Sequence, residues 1–145
     1  MISIRQLLKR KGSEVWSTSP DASVYEALQL LAEKNIGALV VLRDGELVGV
    51  ISERDYARKV ILHRKTSMKT PVMEIMTEEV ITVGTGSTVE EAMILMTDKR
   101  IRHLPVVEGE KIVGVVSIGD LVKAIIADQE FTIDQLAKYI SGTRS

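Results

Sequence analysis

The chain has no cysteine and only five aromatic residues among its 145 residues. Without cysteine it can form no disulfide, no thiolate zinc site and no thiol nucleophile. Its two histidines, His63 and His103, are forty positions apart and make a poor transition-metal site without carboxylate ligands. We therefore expect no metal site.

Charge of one sign and long hydrophobic runs are also scarce. The net charge of −1 and the few aromatic residues supply neither the basic field nor the stacking surface of most nucleic-acid binders. No apolar run approaches the roughly eighteen residues of a membrane span, and the N-terminus lacks the apolar stretch of a secretory signal. We expect a cytoplasmic protein without a membrane partner, and nucleic acid is not an expected ligand.

The sequence does contain an internal repeat. When it is shifted by 65 positions, residues 15–60 align without a gap to residues 80–125, and fourteen of the 46 pairs are identical. Chance would give roughly three identities, so the chain consists of two copies of one unit. The apolar fraction of 45% and the charged fraction of 27% are typical of a globular protein with a core.

Each copy shows the same order of predicted elements. A short β-rich run, Val15–Thr18 or Val80–Val83, comes first. It leads to a helix whose start is marked by a capping-box spacing, Ser23 with Glu26 and Thr88 with Glu91. Two β-branched runs follow, joined in the first copy by an Asp-Gly hairpin turn. A second helix closes each copy, from about Arg54 to His63 and from about Asp120 to Gln129.

The predicted fold is α/β (α+β), with two β-α-β-β-α repeats packed about a pseudo-twofold axis into one module, because one repeat alone has too small a core. The predicted segments are an N-terminal segment (1–14), repeat 1 (15–63), a linker (64–79), repeat 2 (80–128) and a C-terminal helix or tail (129–145).

Motifs of catalysis are missing. The chain has no Cys-His or Ser-His-Asp set at a candidate spacing, no G-x-x-x-x-G-K-[ST] loop and no G-x-G-x-x-G after a strand. We expect that the protein is not an enzyme.

The motifs GVISERD and GVVSIGD, with IRHLPVV, SPDASVYEAL and GTGSTVEEAM, resemble paired CBS domains, also called a Bateman module. The resemblance covers about residues 12–127 and is closest to the stand-alone type. It implies a regulatory module that binds an adenosine ligand such as AMP, ADP, ATP or NAD, with S-adenosylmethionine less favoured, and that acts on an effector protein in trans. The alternative is a structural dimerisation module whose clefts bind no ligand.

The Ser-x-x-Asp pairs, Ser52 with Asp55 and Ser117 with Asp120, lie where a strand meets a helix. Their side chains fall on one helical face, and a carboxylate can accept both hydroxyls of a ribose. The resemblance implies ribose binding by these residues. The alternative is helix capping, which needs no ligand.

Basic residues near the second copy are candidates for phosphate binding. The resemblance places Arg102 and His103 at the phosphates, and guanidinium geometry suits phosphate oxygens. The first copy has Gly37 and Ala38 there, so the clefts are not equivalent. Arg54 either reaches a phosphate in the second cleft or is an exposed arginine at a helix start.

An adenine ring needs a flat apolar slot. The resemblance assigns this slot to Ile81, Thr82, Val83, Pro105 and Val116, although core packing explains the same residues nearly as well.

Two further surfaces have open interpretations. Phe131, Leu136, Tyr139 and Ile140 follow a potential cap at Thr132 with near-helical spacing, which favours a homodimer. The most basic stretch is either a solvated face or attractive to polyphosphate or an acidic partner. It contains Arg58, Lys59, His63, Arg64, Lys65 and Lys69.

Overall fold

Each repeat folds around its own three-stranded sheet in the computed structural model, which describes residues 2–141. The first-repeat unit comprises Val15–Ile81, and the second-repeat unit joins the residues up to Glu14 to those from Thr82 onward. The N-terminal segment thus belongs to the second repeat, although it directly precedes the first in the chain.

In chain order, the helices are α1 (Ile4–Lys11), α2 (Val24–Lys34), α3 (Glu53–Tyr56), α4 (Val72–Ile75), α5 (Val89–Lys99) and α6 (Ile118–Ile140). The strands are β1 (Ser17–Thr18), β2 (Ala38–Arg43), β3 (Glu46–Ser52), β4 (Val83–Gly84), β5 (His103–Glu108) and β6 (Lys111–Ser117). A π-helical turn, Ala57–Ile61, continues α3.

Both sheets have the same topology. Strands β1 and β4 run parallel to β2 and β5, which pair antiparallel with β3 and β6. The hairpin turn of the first repeat has Asp44 and Gly45 at φ values of 51° and 82°, as its Asp-Gly sequence predicts. The predicted α/β class and the β-α-β-β-α order are confirmed.

The core of each unit forms on the predicted helix faces. Val24, Ala27 and Leu31 of α2 are at most 3% exposed, and the corresponding side chains of α5 are as deeply buried. Serine and threonine hydroxyls cap the two helices by accepting the amides of Glu26 and Glu91. The second bond of a capping box, from the cap amide to the glutamate carboxylate, is formed in neither helix, so only one half of each predicted capping box is present.

Two predicted boundaries are wrong. The first strands are two residues each rather than four, because only Ser17–Thr18 and Val83–Gly84 pair with the next strand. The second helix of repeat 2 does not end near Gln129, since α6 continues to Ile140. Thr132 lies inside this helix and its hydroxyl donates to the Asp128 carbonyl, so it is not a cap.

A glycine on each outer strand permits close packing of a neighbouring segment. A Cβ atom on Gly49 would lie 2.7 Å from the Met76 Sδ and 3.1 Å from the Thr77 carbonyl oxygen. A Cβ atom on Gly114 would lie 2.7 Å from Leu8 of α1. The glycines therefore let a segment from outside each β-α-β-β-α repeat contact its outer strand, and these segments reach the candidate sites.

None of the helices within residues 2–141 is both long and apolar enough to cross a bilayer.

Candidate functional site

In the second-repeat unit, sheet register collects the predicted residues at the N-terminus of α6. His103 on β5 pairs with Ser117 at the end of β6. The Ile118 amide donates to the Arg102 carbonyl at 2.8 Å, which fixes the Arg102 backbone beside the same helix start. The structure thus brings Arg102, His103, Ser117 and Asp120 to one end of the sheet.

Ser117 and Asp120 form a complete capping box. The Asp120 amide donates to the Ser117 hydroxyl at 3.2 Å, and the Ser117 amide donates to Oδ2 of Asp120 at 2.8 Å. The capping role considered from the sequence is therefore confirmed for this pair. It does not exclude a ligand, because a carboxylate has two oxygens and about four acceptor positions.

Lys11, at the end of α1, is a member of this site that the sequence analysis did not identify. Its Nζ lies 2.9 Å from Oδ2 of Asp120 and donates to the Val115 carbonyl of β6 at 2.8 Å. The Ser117 amide and the Lys11 ammonium thus contact the same oxygen of Asp120, Oδ2. Oδ1 receives no hydrogen bond from the part of the chain that the structure describes, and it is the acceptor open to a ligand.

The charge of Asp120 is stabilised by its surroundings. Burial on its own raises the pKa of this carboxyl, but the hydrogen bond from the Ser117 amide and the contact with the Lys11 ammonium outweigh it, so the pKa is below its ordinary value. Asp120 is an anionic acceptor at neutral pH.

His103 is held in the neutral state. Burial lowers its pKa most; Asp120 acts in the opposite direction, while Arg102 and Lys11 lower the pKa further. A neutral imidazole can both donate and accept a hydrogen bond. The positive charge that acts on His103 therefore comes from Arg102 and Lys11, and the Lys11 ammonium is the cation that contacts Asp120.

In the first-repeat unit, both oxygens of the equivalent carboxylate, Asp55, already contact protein groups. Oδ2 of Asp55 accepts from the Ser52 amide at 3.0 Å and from the Ser52 hydroxyl at 3.1 Å. Its Oδ1 is 3.1 Å from the Lys59 Nζ and 3.5 Å from the Thr77 hydroxyl. The Asp55 side chain is 13% exposed, against 24% for Asp120, so it offers less room to a ligand.

The lysines at the two sites come from different places in the chain. Lys59 is four residues after Asp55, and its counterpart in the second repeat is Ala124. Lys11 instead comes from the segment before the first repeat. Ser3 and Gln6 form a capping box that could have revealed α1. The sequence did not show onto which repeat α1 packs.

Only four of the five residues predicted to line the adenine slot lie in the second-repeat unit. Val83, Pro105 and Val116 are buried in the second-repeat unit and Thr82 is half-buried there, as core packing also requires. Ile81 ends the first-repeat unit, so its part in the slot stays a prediction. Arg54 is exposed in the first turn of α3, and its reach toward a phosphate also stays a prediction.

Residues 2–141 contain no cluster of three or more histidine or acidic side chains that could hold a metal ion.

Comparison with known proteins identifies a matching family and related proteins. The CBS domain family model matches residues 2–62 and 72–127. A mitochondrial CBS domain-containing protein of Arabidopsis thaliana, CBSX3, is 43% identical in an alignment of 150 positions that covers 97% of this chain and 72% of the relative.

Solved structures share the fold. A CBS-domain protein from Agrobacterium tumefaciens is 39% identical with a TM-score of 0.81, over 84% of this chain and 98% of that one. The CBS domain pair of the protein MJ0100, solved in complex with 5′-methylthioadenosine and S-adenosylmethionine, is 26% identical with a TM-score of 0.78, over 88% and 98%. The chain belongs to the CBS domain family and carries two copies of the domain.

Proposed function

We propose that this protein is a regulatory module that binds an adenine nucleotide, and that its principal site is the one around Asp120. The observation that carries the proposal is the open Oδ1 of an ionised Asp120, with the Lys11 ammonium 2.9 Å from Oδ2 and the Arg102 backbone held beside the same helix start. The adenosine ligands in the related MJ0100 pair support an adenosine-containing ligand here.

Ribose binding at Asp120 would use its two oxygens unequally. One hydroxyl donates to Oδ1 without disturbing the capping box. A second hydroxyl at Oδ2 competes with the Lys11 ammonium, which occupies that oxygen at 2.9 Å. Displaced Lys11 keeps its bond to the Val115 carbonyl or turns to the phosphate of the ligand.

The phosphates would be met by Arg102 and by His103, whose backbones the β5–β6 register and the Ile118 amide hold at the start of α6. The N-terminus of this 23-residue helix adds a favourable potential for an anion. This charge pattern favours AMP, ADP, ATP or NAD over S-adenosylmethionine, whose sulfonium is cationic.

The first-repeat site around Asp55 is proposed as the weaker of the two. Both of its carboxylate oxygens already accept hydrogen bonds, and Gly37 and Ala38 stand where the second repeat has a basic pair. A ribose there must displace Lys59 and Thr77 before it gains a contact.

The module is proposed to be non-catalytic, cytoplasmic and homodimeric, and to act on an effector protein in trans. Phe131, Leu136, Tyr139 and Ile140 lie exposed on α6, which supports the homodimer. One observation favours the alternative of a purely structural dimerisation module. The two Ser-x-x-Asp pairs are complete caps without any ligand, so they stabilise the helices in either case.

A thermal-shift series with AMP, ADP, ATP, NAD and S-adenosylmethionine tests the proposal. A ligand at a hundred times its Kd stabilises the native state by about 2.7 kcal/mol. We expect at least one of the four nucleotides to raise the Tm and S-adenosylmethionine to raise it less. No shift with any of them at millimolar concentration would leave the structural dimerisation module as the better account.

A further inference from the structure

The last part of α6 is exposed on all sides. Every residue from Gln129 to Ile140 is exposed, and the only buried residue of the helix is Leu121. The exposed side chains include five large apolar ones that are 57 to 81% exposed: Phe131, Ile133, Leu136, Tyr139 and Ile140. An isolated helix of this length is marginal in water, so a covering surface would stabilise it.

This helical segment, residues 128–140, is acidic, and we call it the acidic arm. It carries Asp128, Glu130 and Asp134 against a single cation, Lys138, which gives a net charge of −2. Asp134 and Lys138 form an ion pair within the helix at 3.3 Å, so Asp128 and Glu130 provide the excess charge. A surface that covers the arm should therefore combine apolar side chains with positive charge.

Such a surface exists in the first repeat, and we call residues 57–71 the basic segment. It has no acidic residue and five cations: Arg58, Lys59, Arg64, Lys65 and Lys69. Lys59 and Lys65 pair with Asp55 and Glu74, while the other three make no ion pair with any residue between 2 and 141.

The basic segment is also apolar in part. Ile61, Leu62 and Met68 are 55, 74 and 73% exposed. The segment is compact, because the Lys65 amide donates to the Val60 carbonyl at 2.9 Å and the Thr70 hydroxyl to the Thr66 carbonyl at 2.6 Å. Its cations and exposed apolar side chains thus lie close together along one short, hydrogen-bonded stretch of chain that is opposite in charge to the arm.

We propose that the acidic arm of one copy docks on the basic segment of a second copy. This inference specifies the contact within the proposed homodimer and does not depend on nucleotide binding. Each copy provides both surfaces, so a closed dimer contains the contact twice. Pairing of two arms would bring like charges together, whereas this arrangement matches charge and covers both apolar surfaces.

Paired charge reversals test the contact. The segment variant carries Arg58→Glu and Lys69→Glu, the arm variant carries Asp128→Lys and Glu130→Lys, and a control carries Glu14→Lys and Glu110→Lys, which are exposed elsewhere. Sedimentation equilibrium at low salt measures the dimer Kd, and circular dichroism checks that each variant is folded.

We expect each reversed variant alone to dimerise at least tenfold more weakly than the wild type and the control. An equimolar mixture of the two should regain dimers, because in the mixed dimer the lysines of the reversed arm meet the glutamates of the reversed segment, and the wild-type arm meets the wild-type segment. Raised salt should weaken the wild-type dimer.

Two results overturn the inference while leaving the homodimer in place: a segment variant that dimerises like the wild type, or two variants that stay monomeric when mixed. A monomeric wild type overturns the proposed homodimer as well. If that monomer sediments with vesicles of equal phosphatidylcholine and phosphatidylglycerol, the basic segment serves a membrane instead.

Discussion

Asp55 and Asp120 occupy matching positions of the two repeats but have different surroundings. Both complete a capping box with the serine three residues earlier. The other oxygen of Asp55, Oδ1, contacts Lys59 and Thr77. In Asp120, Lys11 contacts Oδ2, the oxygen already used in the cap, and Oδ1 stays open. Capping thus explains why a Ser-x-x-Asp pair is suited to each helix start, while the room left for a ligand depends on what else reaches the carboxylate.

The difference between the sites arises partly inside the repeat, where Lys59 corresponds to Ala124, and partly outside it. Thr77 lies just after α4 and bonds to the outer strand β3 through both backbone groups of Val50. In the second-repeat unit, α1 occupies the corresponding place, and its Lys11 reaches the Val115 carbonyl instead. Duplicated repeats have thus acquired unlike sites through unlike neighbouring segments.

The largest expected effect that would sharpen this comparison concerns Arg102. Arg102→Ala should weaken AMP binding by about tenfold or more, because a charged hydrogen bond is worth roughly 1.5 to 3 kcal/mol. Adenosine, which has no phosphate, should bind with little change. Calorimetric titration of both ligands into this variant and into the exposed control Lys99→Ala measures the difference. Equal losses for AMP and adenosine would mean that Arg102 maintains the shape of the site instead.

A smaller effect is expected at Lys11. Lys11→Met removes the competitor for Oδ2 of Asp120, and a partly exposed ion pair is worth about 0.2 to 1 kcal/mol. Adenosine affinity should therefore rise, by up to about fivefold. Lys9→Met, on the same helix and exposed, is the matched control. Weaker adenosine binding in Lys11→Met alone would show that Lys11 holds the site in its binding shape.

The smallest expected effect is on stability at mildly acid pH. Because the folded-state pKa of His103 is below its usual value of about 6.5, its contribution to stability is complete above that pH and is lost as pH falls toward the folded pKa. Asp120, whose folded pKa is also lowered, loses its contribution only below about pH 4.

We therefore expect the free energy of unfolding by urea to fall between pH 7 and pH 5, and His103→Gln to reduce that slope. Asp120→Asn should leave most of the slope in this range, since Asp120 titrates lower. An unchanged slope in His103→Gln would contradict the assigned protonation state.

Local signals in the sequence predicted much of this fold. The Asp44-Gly45 turn, the apolar faces of α2 and α5 and the duplicated order all depend on residues near one another in the chain. The length of α6 was missed because Thr132 is typical of a helix start, while its hydroxyl can equally bond within a continuing helix.

The sequence also predicted which residues gather at the second site, but not which of their atoms already have hydrogen-bond partners. Sheet register brings His103 to Ser117, where the family resemblance had placed phosphate and ribose contacts. Lys11 could not be assigned, because it meets Asp120 across 109 positions of sequence and has no counterpart in the repeat. Contacts of this kind depend on how separate segments pack, which periodicity and spacing do not report.

We propose above all that the site around Asp120 binds the nucleotide and that the site around Asp55 contributes little. Calorimetric titration of AMP into the wild type, Asp120→Asn and Asp55→Asn tests it most directly, with a melting curve of each free protein. We predict that Asp120→Asn weakens AMP at least tenfold, with only a modest change in Tm, and that Asp55→Asn changes affinity less than about twofold. An Asp120→Asn protein that melts well below the wild type yet binds AMP normally once folded would show that Asp120 is only a cap, and would contradict the claim.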